Sequence, residues 1–67
     1  MDIGRVRLFD RSKGWGFIQR DKDRADVFVH WSEVQGREQG NLFTGERVEF
    51  AVEEGQRGLV ARDVRVI

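Results

Sequence analysis

Apolar and polar positions alternate along this chain in short runs, and glycine-rich or charged clusters separate the runs. From Ile3 to Phe9, Val6 and Leu8 share one parity while Arg5, Arg7 and Phe9 share the other. From Trp15 to Gln19, Trp15, Phe17 and Gln19 oppose Gly16 and Ile18. From Asp26 to Trp31, Val27 and Val29 oppose Phe28 and His30. From Glu46 to Glu53, Val48, Phe50 and Val52 alternate with Arg47, Glu49 and Ala51, and the last run is Leu59 to Ile67. A period of two is the signature of half-buried strands. No window of ten or more residues carries a helical apolar stripe. The pattern therefore predicts five strands, with a long loop over residues 32–45 that holds one helical turn after His30–Trp31. Val6, Ile18, Val27, Val29, Val48, Phe50 and Val64 are the predicted core.

Five short strands in 67 residues cannot form a stable open sheet, because unpaired edges invite association; closure into a small barrel removes them. The first three strands should form a meander, since their connections are short. With no proline, the eight glycines supply most of the turns. Gly14 reads as a turn, and Gly16 as a strand position where a side chain would crowd a neighbour. The chain, residues 1–67, is read as one domain: a length this small buries only about 60% of its unfolded surface and leaves no room for a deep catalytic cleft.

Side-chain direction then makes the aromatics informative. If Val27, Val29 and Ile18 face the core, Phe28, His30, Trp15 and Phe17 face outward. Pairing of the second and third strands gathers these four into one patch, with Trp31 at its border. A patch of this kind marks a binding surface. Cations at Arg5, Arg7 and Lys13 should surround it, with Arg57 reaching it from a loop. Rings ringed by cations suit single-stranded nucleic acid, whose bases stack while its phosphates meet positive charge.

Composition adjusts this picture. Twelve basic and twelve acidic residues give a net charge of +0, which excludes a polybasic binder but not segregated charge. No cysteine and a single histidine, His30, exclude a disulfide framework and any cysteine or two-histidine metal site. No metal, cofactor, catalytic residue or small-molecule substrate is predicted. No signal-peptide pattern or membrane-length apolar run occurs, so a cytoplasmic location and no membrane partner are expected.

Lys13–Gly14–Trp15–Gly16–Phe17–Ile18 and Val27–Phe28–Val29–His30–Trp31 resemble the two ribonucleoprotein motifs of cold-shock domain proteins. The likeness runs from Gly4 through Gly45–Glu46–Arg47–Val48 and Gly55–Gln56–Arg57–Gly58 to Asp63–Val64, essentially the whole chain. The resemblance implies an all-β, five-stranded antiparallel OB-fold barrel. It also implies an RNA chaperone that binds single-stranded RNA and DNA with low sequence specificity; a monomer is the default expectation for so small a chain. Such a protein keeps transcripts unfolded in a stress response and modulates transcription or translation. By that resemblance the stacking residues are Trp15, Phe17, Phe28, His30 and Trp31, with Phe9 beside them, and the basic contacts are Arg7, Lys13 and Arg57. Three positions depart from the family pattern. Leu8 stands where tryptophan is usual, residues 37–41 carry no loop aromatic, and Leu59 replaces a proline.

Two other classes compete. A peptide-binding barrel of the SH3 type would use the same aromatics but favours acidic neighbours over Lys13 and Arg7. An RNA-recognition-motif domain shares the glycine–aromatic run but needs two amphipathic helices that this pattern lacks.

Overall fold

The computed structural model describes all 67 residues as a closed five-stranded barrel. Strands β1 (Asp2–Asp10), β2 (Trp15–Arg20) and β3 (Asp26–His30) form the expected antiparallel meander. Two 3-10 turns, Trp31–Glu33 and Glu38–Gly40, interrupt the long connection to β4 (Arg47–Gly55), and a tight hairpin leads into β5 (Gly58–Val66). β4 pairs with both β1 and β5, and the barrel closes where β3 meets β5. That closing seam alone is parallel. It is short, held by Phe28 opposite Val60 and a bridge between Val34 and Val64.

All seven predicted core residues are buried, joined by Val34, Leu42 and Ala61. Fully burying a valine, isoleucine or phenylalanine contributes about 1.5–3 kcal/mol each. Val34 and Leu42 come from the long connection and plug the barrel from its loop side, which explains why that segment holds position with so little regular structure.

The simple alternation fails in two places. In β1 the register against β2 shifts between Val6 and Leu8, so Arg7 is an extra residue without a partner. A bulge of this kind reverses the facing of the residues beyond it. Leu8, which shares the parity of Val6, is 40% exposed, and Phe9, which shares that of Arg5 and Arg7, packs against the core cluster. In β5 the register against β4 shifts opposite Phe50, where Asp63 adopts a left-handed φ of 53°. Aspartate tolerates that conformation better than most residues. Beyond this shift, Val52 is only partly buried, although its parity matches Val48 and Phe50.

Candidate nucleic-acid interface

The pairing of β2 with β3 sets the site. Trp15 lies opposite His30 and Phe17 opposite Phe28, while Gly16, Ile18, Val27 and Val29 turn inward and are fully buried. Trp15, Phe17 and Phe28 form a triangle whose ring centroids are each 6.0 Å apart. Trp15 and Phe28 are stacked at an interplanar angle of 29°, and Phe17 meets both nearly edge-on. Aromatic pairs in this range add about 0.5–1.5 kcal/mol beyond burial. The rings therefore brace one another while remaining half-exposed.

Two glycines make the platform possible. At Gly16 a Cβ would run into the Leu8 carbonyl oxygen and come within 2.6 Å of the Phe9 Cα, so only glycine lets β1 approach β2 at this level. Gly14 has φ of 80°, and a Cβ there would lie 2.5 Å from Trp31 Cδ1. The Gly14 carbonyl also accepts the Trp31 backbone N–H at 2.8 Å. Trp31 is thus pinned against the β1–β2 turn with 47% of its surface exposed. Its ring lies 5.7 Å from that of His30. His30 Nδ1 accepts the Ser32 backbone N–H at 3.3 Å and lies 2.8 Å from the Ser32 hydroxyl. A nitrogen that accepts cannot carry the proton, so the neutral ring keeps it on Nε2.

A groove runs along Trp15, Phe17 and Phe28 and is walled by the β4–β5 hairpin, including Arg57 and Leu59. A second depression continues past Trp31, lined by Lys13, Gln39, Asn41 and Arg11. Arg57 and Lys13 thus reach the aromatic face as the sequence led us to expect. Arg5 does not: its guanidinium donates to the Gly45 carbonyl at 2.8 Å, away from both grooves. Arg7 is not a free cation. Its Nε and Nη2 grip both Asp26 oxygens at 3.0 and 3.1 Å, and Asp26 lines the groove wall.

Charge is sorted around the barrel. Seven of the twelve basic side chains lie within 4.0 Å of a carboxylate; Arg5, Arg11, Lys13, Arg24 and Arg57 do not. Three of these five line the two depressions. The strongest pairs lie elsewhere. The bidentate Arg20–Asp23 contact lowers the Asp23 pKa to about 2, helped by the Ala25 backbone N–H. Hydrogen bonding by Arg37 also lowers the Glu46 pKa. Asp10 is lowered by the Ser12 hydroxyl and the Lys13 backbone N–H, which close the turn that presents Lys13.

Sequence reasoning missed Arg11 and assigned no role to the exposed Phe43. The Arg11 Cζ lies 4.8 Å from the Phe43 ring centroid, across a sequence separation that no periodicity spans. The one available signal was the pair Leu42–Phe43: of these two apolar neighbours, Leu42 is buried and Phe43 is left outside.

A closed five-stranded barrel with this strand order, carrying solvent-facing aromatics on β2 and β3, defines an OB-fold class of binding module. Residues 2–67 match the family model for the 'Cold-shock' DNA-binding domain. The chain is 44% identical over 64 residues to the major cold shock protein of Micrococcus luteus, covering 96% of both chains. It shares the same identity with the cold shock-like protein CspC of Escherichia coli K12, covering 96% of this chain and 93% of that one. Among solved structures it is similar to drosophila Unr CSD456, with a TM-score of 0.77 and 25% identity over 98% of this chain and 26% of that longer one. The chain belongs to the cold-shock domain family. Its domain is a nucleic-acid-binding one, and proteins of this family are not enzymes. No helix is long and apolar enough to cross a membrane.

Proposed function

We propose that the chain binds single-stranded RNA and DNA with little sequence preference, as a monomer, and thereby keeps transcripts unfolded in the cytoplasm. The observation that carries this reading is the triangle of half-exposed rings at 6.0 Å spacing beside cations that no carboxylate neutralises. Every base has a π-face, so stacking on Trp15, Phe17 and Phe28 is tolerant of sequence and is worth about 1–3 kcal/mol per base. His30 and Trp31 extend the platform, and Lys13 and Arg57 meet phosphates. Phe9 supports it from below, packed beneath Gly16, and Arg7 is restrained by its ion pair with Asp26.

Duplexes hide their π-faces. A protein that binds only unstacked bases draws hairpins open by mass action, without ATP. Control of transcription or translation arises where such a hairpin governs either. The peptide-binding alternative loses ground because Asp26, the one carboxylate on the groove wall, is already held by Arg7.

The test is a fluorophore–quencher RNA hairpin titrated with protein in the absence of nucleotide triphosphate. The reading predicts a saturable opening that Phe28→Ala abolishes at the same concentration. A hairpin that stays closed while the protein binds a duplex of equal length would overturn it.

A further inference from the structure

His30 stands between the two depressions: Trp15, opposite it on β2, lines one, and Trp31, next in the chain, lines the other. Its ring is held at one nitrogen only. Ser32 is its sole hydrogen-bond partner, and both contacts fall on Nδ1: the hydroxyl at 2.8 Å and the backbone N–H at 3.3 Å. A backbone N–H can only donate, so Nδ1 accepts, and the Ser32 hydroxyl then turns its own proton towards the same lone pair. The same contact caps the 3-10 turn Trp31–Glu33. Trp31 itself is pinned through its backbone N–H to the Gly14 carbonyl, and its ring lies 5.7 Å from the imidazole. His30 is thus fixed in place, in orientation and in tautomer. Nε2 carries a proton on the side of the ring away from Ser32, and no protein acceptor takes it.

We propose that Ser32 is a positioning residue: it sets His30 so that Nε2–H donates to an acceptor on the edge of a base. The assignment rests on the single-strand reading above. It gives the aromatic face one directional polar contact in addition to its stacking surfaces. An N–H lies in the plane of its own ring, so it cannot serve a base stacked on that ring. It meets the edge of a base lying on a neighbouring ring, and here the neighbours are the indoles of Trp15 and Trp31. Phosphates already have the full charges of Lys13 and Arg57, which bind an anion more strongly than a neutral donor does. A base carbonyl suits the neutral donor. With the proton on Nδ1 instead, Nε2 would present a lone pair and repel the same carbonyl. Ser32 therefore acts through His30, by deciding which nitrogen keeps the proton.

Two measurements test this on the full chain. Long-range proton–nitrogen NMR correlation of the imidazole, without ligand and at mildly alkaline pH where the ring is neutral, reads the tautomer directly. The wild-type spectrum should show the Nε2–H form dominant. Ser32→Ala should bring in the Nδ1–H form, and Ser32→Thr should restore the wild-type pattern. A wild-type ring protonated on Nδ1, or a spectrum unchanged in Ser32→Ala, would overturn the hold of Ser32 on His30. The second measurement compares oligothymidine with a strand of equal length built on difluorotoluene, a thymine isostere that stacks but accepts hydrogen bonds poorly. The ratio of thymine to isostere affinity should fall about two- to tenfold in His30→Phe, which keeps a ring but has no donor. It should fall in Ser32→Ala as well and hold in Ser32→Thr. A purely structural role for Ser32 would weaken both strands alike and leave the ratio unchanged. A ratio unchanged in His30→Phe would overturn the base-edge contact while leaving stacking intact, and a fall in His30→Phe alone would overturn the role of Ser32. Failure of the wild-type chain to bind either strand would overturn the single-strand reading and, with it, this proposal.

Discussion

The grooved face of the barrel and the remainder of its surface are built from the same residue types but use them in opposite ways. Away from the groove, arginines are spent on carboxylates: Arg20 on Asp23 and Asp2, Arg37 on Glu46, Arg47 on Asp21, Arg62 on Glu33 and Glu53. Along the groove, Arg11, Lys13 and Arg57 have no such partner, and large rings stay exposed rather than packed. A net charge of +0 therefore conceals a local excess of positive charge beside the aromatic platform. Formal net charge is a sum over the chain, whereas a polyanion meets the local field.

The sharpest way to break this contrast is to remove a ring. Phe28→Ala takes away the residue in contact with both Trp15 and Phe17. It should weaken oligothymidine binding by about 1–3 kcal/mol, about 5- to 150-fold, in an equilibrium titration. Circular dichroism should still report the barrel, because Phe28 is only partly buried.

Glu46→Gln should do the reverse. It breaks a bidentate pair that is partly shielded from water, with side chains 31% and 22% exposed. Thermal melting should show a loss of about 1 kcal/mol after allowance for solvent screening. Binding to short strands should be unaltered.

A smaller effect tests whether Arg7 is restrained. Asp26→Asn removes the carboxylate from the groove wall and frees the guanidinium. Affinity should increase by about two- to fivefold, and the salt slope should steepen by about 0.7. The wild-type slope itself should be near −2, one phosphate for each of Arg11, Lys13 and Arg57.

The smallest effect concerns acid. Asp23, Glu46 and Asp10 all have pKa values lowered in the folded chain. A lowered folded-state value gives stability that is present above the ordinary carboxylate range and lost as pH falls through the folded value. The melting temperature should therefore hold from neutral pH to about 4.5 and decline towards about 2, where Asp23 takes up its proton. A decline on raising the pH from 5 to 8 would contradict this assignment.

These contrasts were unevenly legible in the sequence. The Trp15–Phe17–Phe28 platform was readable because β2 and β3 obey strict alternation and pair without a bulge. β1 was not, since the extra residue at Arg7 arises from pairing with β2 rather than from any local apolar pattern. Parity alone therefore does not give the facing of Leu8 and Phe9. Val34 and Leu42 enter the core from irregular backbone, where no period marks a buried position, and Ala61 is too small to stand out. Asp26 could be read as an ion-pair residue, but its partner, 19 residues away, could not. Arg11 and Phe43 meet only through the long connection, whose course depends on how Leu42 seats in the barrel.

Trp15 and Trp31 are the only tryptophans, and both belong to the face on which the account depends. Titrating their fluorescence with a short oligothymidine, against a duplex of equal length, tests that dependence directly. Strong, saturable quenching by the single strand alone is the predicted result. No quenching, or an equal response to the duplex, would contradict stacking on this face as the basis of binding.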